Sequence, residues 1–154
     1  MKTDTRTAGL ESALHLLHRA GQCADELFAI NIGQSDLTPR QFAVMRAIAN
    51  SDEPSQTTLV ELTGIYRSTM ADIVRRLIEK SLVQRRRTRR DSRMYAVKLT
   101  DKGRAALEMA EPVVRSTDQR ILEALSPAQR DGFIRALARI VESVGTETAT
   151  RAVR

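Results

Sequence analysis

Apolar residues recur at three- and four-residue spacing along the first quarter of the chain. Leu10, Leu14, Leu17, Ala20, Ala24, Leu27 and Phe28 form one stripe of a long amphipathic helix. That helix is expected to follow a frayed polar start (residues 1–7) and to end near Asn31 to Gly33. Thr38, Pro39 and Gln41 then supply a helix cap, a first-position proline and the third-position partner of a capping box. Phe42, Met45 and Ile48/Ala49 give that second helix its buried face. Asn50 to Pro54 reads as a loop, and Ser55 opens a third helix running to about Leu62. Thr63 and Gly64 make a tight turn, after which Arg67 to Lys80 reads as a fourth helix. Met70, Ile73, Val74, Leu77 and Ile78 share one side of it; Arg67, Ser68, Asp72, Arg75, Arg76 and Glu79 share the other. Two helices joined by a short glycine-containing turn predict a helix-turn-helix.

The periodicity changes after Ser81. Leu82, Val83 and Gln84 lead into an arginine run, and beyond Asp91 and Ser92 the residues Tyr95, Val97 and Leu99 alternate with Ala96 and Lys98. This pattern predicts a half-buried hairpin closed by an Asp-Ser turn. Thr100 caps the next helix, with Asp101 at its positive end. Ala105, Leu107, Met109, Val113, Val114 and Ile121 follow, and Pro112 is expected to kink or break the helix. Ser126, Pro127 and Gln129 repeat the capping pattern before a last helix with Phe133, Ile134, Leu137, Ile140, Val141 and Val144. Gly145 to Arg154 reads as a disordered tail. The fold class is mainly α, or α+β by virtue of one small hairpin.

Charge sharpens this picture. The 154-residue chain carries a net charge of +6, but Tyr66 to Lys98 holds eleven Lys/Arg against three Asp/Glu, a local surplus of eight. Arg85, Arg86, Arg87, Arg89, Arg90 and Arg93 place six cations in nine residues. Such a run repels itself in isolation and fits a polyanion. Arg67, Ser68 and Thr69 start the fourth helix, where a recognition helix meets base edges or a phosphate, with Asp72, Arg75 and Arg76 following on its polar side. A membrane-surface reading would need a basic amphipathic helix, whereas these arginines lie in a hairpin pattern. The single cysteine, Cys23, excludes an intrachain disulfide framework. No basic n-region with an apolar run begins the chain, and no apolar stretch approaches the ~20 residues that span a bilayer. The expectation is a soluble, cytoplasmic protein without membrane contact. No Gly-rich phosphate loop, Cys-x-x-Cys or His-Glu-x-x-His is present, so neither an enzyme nor a cofactor is expected.

Several runs together resemble the MarR family of transcriptional regulators: Leu37-Thr38-Pro39-Arg40-Gln41-Phe42; Thr63-Gly64-Ile65-Tyr66-Arg67-Ser68-Thr69 with Leu77 and Glu79-Lys80; Arg90-Asp91-Ser92-Arg93; and Leu99-Thr100-Asp101-Lys102-Gly103-Arg104. The likeness runs from about Leu10 to Val144. It implies a winged helix-turn-helix lobe (37–100) between an N-terminal dimerisation helix (1–36) and C-terminal dimerisation helices (101–144), with a tail at 145–154. It also implies a homodimer on double-stranded operator DNA, acting most often as a repressor. By this resemblance Arg93 enters the minor groove while Asp91 orients a nearby arginine. Tyr66 stands where the family commonly has a small or acidic capping residue, which leaves phosphate contact and inward packing as its two readings.

The resemblance favours control by a small-molecule effector, an aromatic acid, a phenol or an acyl-coenzyme A, held between the lobe and the outer helices. His15, Arg19 and Arg46 are candidate ligand residues, arginine suiting an anion. Two other controls are open. Cys23 could sense peroxide, although a cysteine beside Ala24 and Leu27 reads as a small buried hydrophobe. Glu11, His15 and His18 could share a helical side and hold a metal, although a metal site usually needs a fourth ligand, so none is assigned. The competing function class is a non-specific architectural or single-strand-binding protein, which would rely on stacking aromatics or wedges.

Overall fold

The computed structural model describes residues 12–152, with side chains as far as residue 146. Leu10 and Glu11, and the expected frayed start, lie outside these residues. Helix α1 (Ala13–Ile32) is capped by Ser12, whose hydroxyl accepts the His15 N–H at 3.1 Å. A short 3-10 turn leads to α2 (Pro39–Ala49), where the full capping box forms. The Thr38 hydroxyl accepts the Gln41 N–H at 3.1 Å and the Gln41 amide oxygen accepts the Thr38 N–H at 3.2 Å. Ser55 caps α3 (Gln56–Thr63), and α4 (Arg67–Glu79) follows. Gly64 ends α3 at φ +70°, a left-handed conformation that glycine adopts without a Cβ penalty.

Strands β1 (Val83–Arg87) and β2 (Tyr95–Leu99) pair antiparallel, Val83 opposite Leu99 and Arg87 opposite Tyr95. The expected turn is longer than two residues: residues 88–94 connect the strands, with the Met94 N–H bonded to the Asp91 carbonyl at 3.0 Å. Strict alternation also fails. Ala96 is buried, and Tyr95 is half-exposed because the ribbon rises off the lobe beyond Ala96, where β1 is exposed from Arg85 onward.

Helix α5 (Asp101–Glu123) is capped by Thr100 and runs unbroken through Pro112. Proline removes one N–H, but Glu108, whose carbonyl would have accepted it, is exposed, so water can satisfy that group. Helix α6 (Pro127–Ala152) starts with half of the expected capping box: the Gln129 side chain accepts the Ser126 N–H at 3.1 Å, while the Ser126 hydroxyl meets the same oxygen at 2.9 Å. The expected tail is corrected here, because α6 continues through Ala152. Gly145 lowers helix propensity by only about 1 kcal/mol, and no proline follows it.

The core lies in the lobe. Val44, Met45, Leu59, Met70, Val74, Leu77 and Val83 are fully buried, joined by Phe42, Ile48, Val97, Leu99 and Leu107. Val44 rather than Ala49 completes the inner face of α2. Outside the lobe, α1 lies along α5, yet of its apolar stripe only Phe28 is buried. Leu14, Leu17, Met109, Ile134, Val141 and Val144 are exposed. Cys23 is exposed as well, against the expected burial, because its part of α1 is not covered by the lobe.

Candidate nucleic-acid interface

The inner residues of α4, Met70, Ile73, Val74 and Leu77, are buried, and this anchoring turns Arg67, Ser68, Arg75 and Arg76 to solvent. Thr69 and Asp72 are half-buried. Tyr66 makes no side-chain cap bond and is 59% exposed, so it does not pack inward. The first N–H groups of α4 therefore lack a side-chain acceptor from Tyr66 at the helix's positive end. One carboxylate organises the face below. Asp72 accepts Arg75 at 2.5 Å and Arg76 at 2.9 Å, and Arg75 also reaches Glu79 at 2.5 Å. The hydrogen bond from Arg75, joined by that from Arg76 and by both positive charges, holds the Asp72 carboxyl below its usual range. The bonds to Asp72 and Glu79 raise Arg75 in turn.

The six wing arginines do not behave alike. Arg85 donates to the Gln56 amide oxygen at 2.8 Å. Arg87 lies over the Tyr95 ring, 5.0 Å from its centre, and donates to the Ser92 carbonyl. Arg93 is 89% exposed and steadied by Asp91, which accepts its N–H at 3.0 Å and its Nε at 3.3 Å. The arginine that Asp91 orients is thus Arg93 itself. Arg86 and Arg90, like Arg67 on α4, are exposed and have no carboxylate partner among the described residues. Arg89 differs from all of these, because its guanidinium meets Asp52 at 2.9 Å and Glu53 at 3.3 Å. Asp52, Glu53 and Gln56 were not visible as site residues in the sequence. The signal was an acidic pair inside an otherwise basic lobe, beside the proline that ends the α2–α3 loop.

The candidate ligand residues are divided between two helices. His15 is half-buried and Arg19 exposed on α1, where Arg19 donates to Gln22 at 2.7 Å, and Arg46 is exposed on α2. A cleft of about 290 Å³ between the end of α1 and the start of α2 is lined by Asp25, Phe28, Ile32, Asp36, Leu37 and Pro39. A smaller one of about 120 Å³ borders Ile48, Pro54, Val97 and Arg104. His15, Arg19 and Arg46 line neither; the larger cleft carries the Asp25 carboxylate and that of Asp36, which Lys80 pairs at 3.4 Å. Among the described residues no three His, Cys, Asp or Glu side chains stand close enough to hold a metal, and no helix is long and apolar enough to cross a membrane. Glu11 lies outside those residues.

Comparison with known proteins bears on this arrangement. The profile of the MarR family matches residues 35–94, the lobe from before α2 to the wing tip. The transcriptional regulator HosA of Escherichia coli O157:H7 is 32% identical over 108 residues, which cover 70% of this chain and 80% of that protein. The structure is similar to that of Bordetella bronchiseptica BpsR, whose DNA binding is regulated by 6-hydroxynicotinic acid: TM-score 0.77 and 30% identity over 85% of this chain and 94% of that one. It is also similar to the transcriptional repressor CouR bound to a 23-mer DNA duplex: TM-score 0.78 and 30% identity over 90% of this chain and 99% of that one.

Proposed function

The chain belongs to the MarR family of transcriptional regulators, and on that premise we propose that it is a homodimeric repressor released from a pseudo-palindromic operator by a small organic acid. The observation that carries the DNA-binding part is the pairing, on one lobe, of a solvent-facing α4 surface with a wing that exposes Arg86 on β1 and Arg90 and Arg93 at its tip. A helix of this polarity reads donors and acceptors in the major groove, and cations on a ribbon suit phosphates or the minor groove. Arg67, Ser68 and Thr69 enter the groove at the α4 N-terminus, while Asp72, Arg75 and Arg76 form a pre-ordered set behind them. Two lobes reading one face of a duplex must stand about 34 Å apart, one helical turn. The exposed apolar residues of α1 and α6 support a second copy as the element that sets this distance.

An effector that favours a different lobe separation lowers operator affinity without unfolding the protein, and operator weakens effector binding by the same factor. BpsR, regulated by an aromatic acid, supports that ligand class for this chain. His15, Arg19 and Arg46 are the candidate residues, with the two arginines supplying positive charge, completed across the dimer, since neither described cleft gathers them. Pro112 is the candidate point of bending in α5. A thermal-shift screen of aromatic acids and coenzyme A thioesters, followed by DNA-release assays on the hits, tests the effector. Redox control is the second reading, favoured by the exposure of Cys23. Release by peroxide that a Cys23→Ser variant abolishes would establish it and displace the small-molecule reading.

A further inference from the structure

The loop between α2 and α3, with the first residue of α3, grips the wing at several points. The Pro54 carbonyl accepts the Val97 N–H of β2 at 2.8 Å. Gln56 receives Arg85 of β1. Glu53 reaches furthest: its two carboxylate oxygens accept the main-chain N–H of Arg89 at 3.2 and 3.1 Å, and one of them accepts Arg89 Nε at 3.3 Å. Asp52 completes the grip on the guanidinium at 2.9 Å. The Glu53 side chain is only 12% exposed, and its backbone holds φ +47°, a left-handed conformation that a residue with a Cβ adopts at a cost. Charge-assisted bonds to a main-chain N–H fix a loop more firmly than neutral ones do.

Both carboxylates oppose DNA binding electrostatically, since they lie beside the arginine run and repel phosphate. Their positions suit a mechanical role. We infer that Arg89 is a positioning residue rather than a DNA contact, and that Asp52 and Glu53 clamp the wing through it so that Arg90 and Arg93 meet the duplex in register. This sets Arg89 apart from the other five arginines of the run, and it rests on the DNA-binding reading above. The clamp makes a prediction opposite in sign to simple charge counting. Removing an acidic residue from a DNA-binding surface ordinarily tightens binding; removing these weakens it.

The test uses the full chain and two fluorescent duplexes, one enriched by this protein from a random-core library and one of random sequence. Glu53→Gln, and Asp52→Asn with Glu53→Gln together, should bind the enriched duplex about five- to tenfold more weakly than the native chain at fixed salt. Arg89→Gln should show a similar loss with an unchanged slope of log Kd on log salt. Combining it with Glu53→Gln should cost less than the sum of the two single losses, because the variants share the guanidinium contact while the Arg89 main-chain N–H and Asp52 carry the rest of the clamp. Native or tighter binding by Glu53→Gln overturns the clamp. So does an Arg89→Gln variant whose salt slope falls by about one, the mark of a lost phosphate contact. Hydrogen exchange of the DNA-free chain decides the clamp separately: the Arg89 amide should exchange about tenfold faster in Glu53→Gln, and equal rates overturn the inference. A native chain that binds no duplex defeats the DNA-binding reading, while the exchange result still decides the clamp.

Discussion

The Cβ that Gly103 lacks would lie 2.0 Å from the carbonyl oxygen of Leu82. That oxygen already accepts the Thr100 N–H at 3.1 Å, so the first turn of α5 is pressed directly onto the base of the wing. The obstacle is backbone and cannot rotate away. Gly103→Ala should therefore destabilise the fold by about 1–3 kcal/mol, the range for overpacking a rigid site. Urea denaturation checks it, and a midpoint equal to the native one would show that the α5–wing junction yields freely.

Asp72 offers a pH test. Its folded-state carboxyl lies below the ordinary 3.8 because Arg75 and Arg76 bond to it. A depressed carboxyl contributes stability that is fully present above its unfolded value and is lost as pH falls through the folded value. The network should therefore persist at neutral pH and open only below about pH 4. Carboxyl chemical shifts followed by NMR should place the Asp72 midpoint below 3.8, and Arg75→Gln should move it upward. No movement would mean that Arg75 does not hold this carboxylate in solution.

Residue roles in the interface separate by sequence dependence. Arg93→Ala should weaken binding to every duplex and reduce the salt slope by about one, because it removes a cation near the backbone or minor groove. Ser68→Ala or Arg75→Ala should instead change the preferred sequence, each base contact being worth about 1–3 kcal/mol. Binding selections on the variants distinguish the two behaviours. Equal losses on all sequences for all three would place the recognition surface elsewhere.

The outer helices carry a prediction about assembly. Leu14 and Leu17 on α1, with Val141 and Val144 on α6, expose apolar surface that a second copy would cover. Light scattering should give about twice the 17.2 kDa chain mass. Leu17→Asp should shift the population toward monomer, with the lobe still folded by circular dichroism. A native chain measured at 17.2 kDa would contradict a dimer.

Features written within a few residues of one another were legible before the fold was known. The Thr38–Gln41 box, the Gly64 turn and the buried side of α4 all follow from local spacing and appear where that spacing puts them. The Arg89 clamp was not legible, because its partners lie 36 and 37 positions away and no periodicity links them. The arginine run offers no periodicity that separates its members; a local contact steadies Arg93, tertiary contact grips Arg89, and Arg86 and Arg90 have no carboxylate partner among the described residues. Gly145 as a helix end and Pro112 as a helix break were over-read for a related reason. Each weakens a helix locally by a limited amount, and the residues on either side carry the helix past it.

The central claim, a sequence-specific repressor, is tested most directly by competition at a promoter. A labelled duplex carrying the intergenic region beside the gene is bound by the full chain, then challenged with unlabelled copies of itself and with random DNA of equal length at physiological salt. The account predicts that the specific competitor displaces the protein at concentrations at least about 10³-fold lower than random DNA, the lower end of the usual specificity ratio. Equal competition by the two would contradict it and leave a non-specific DNA-binding protein in its place.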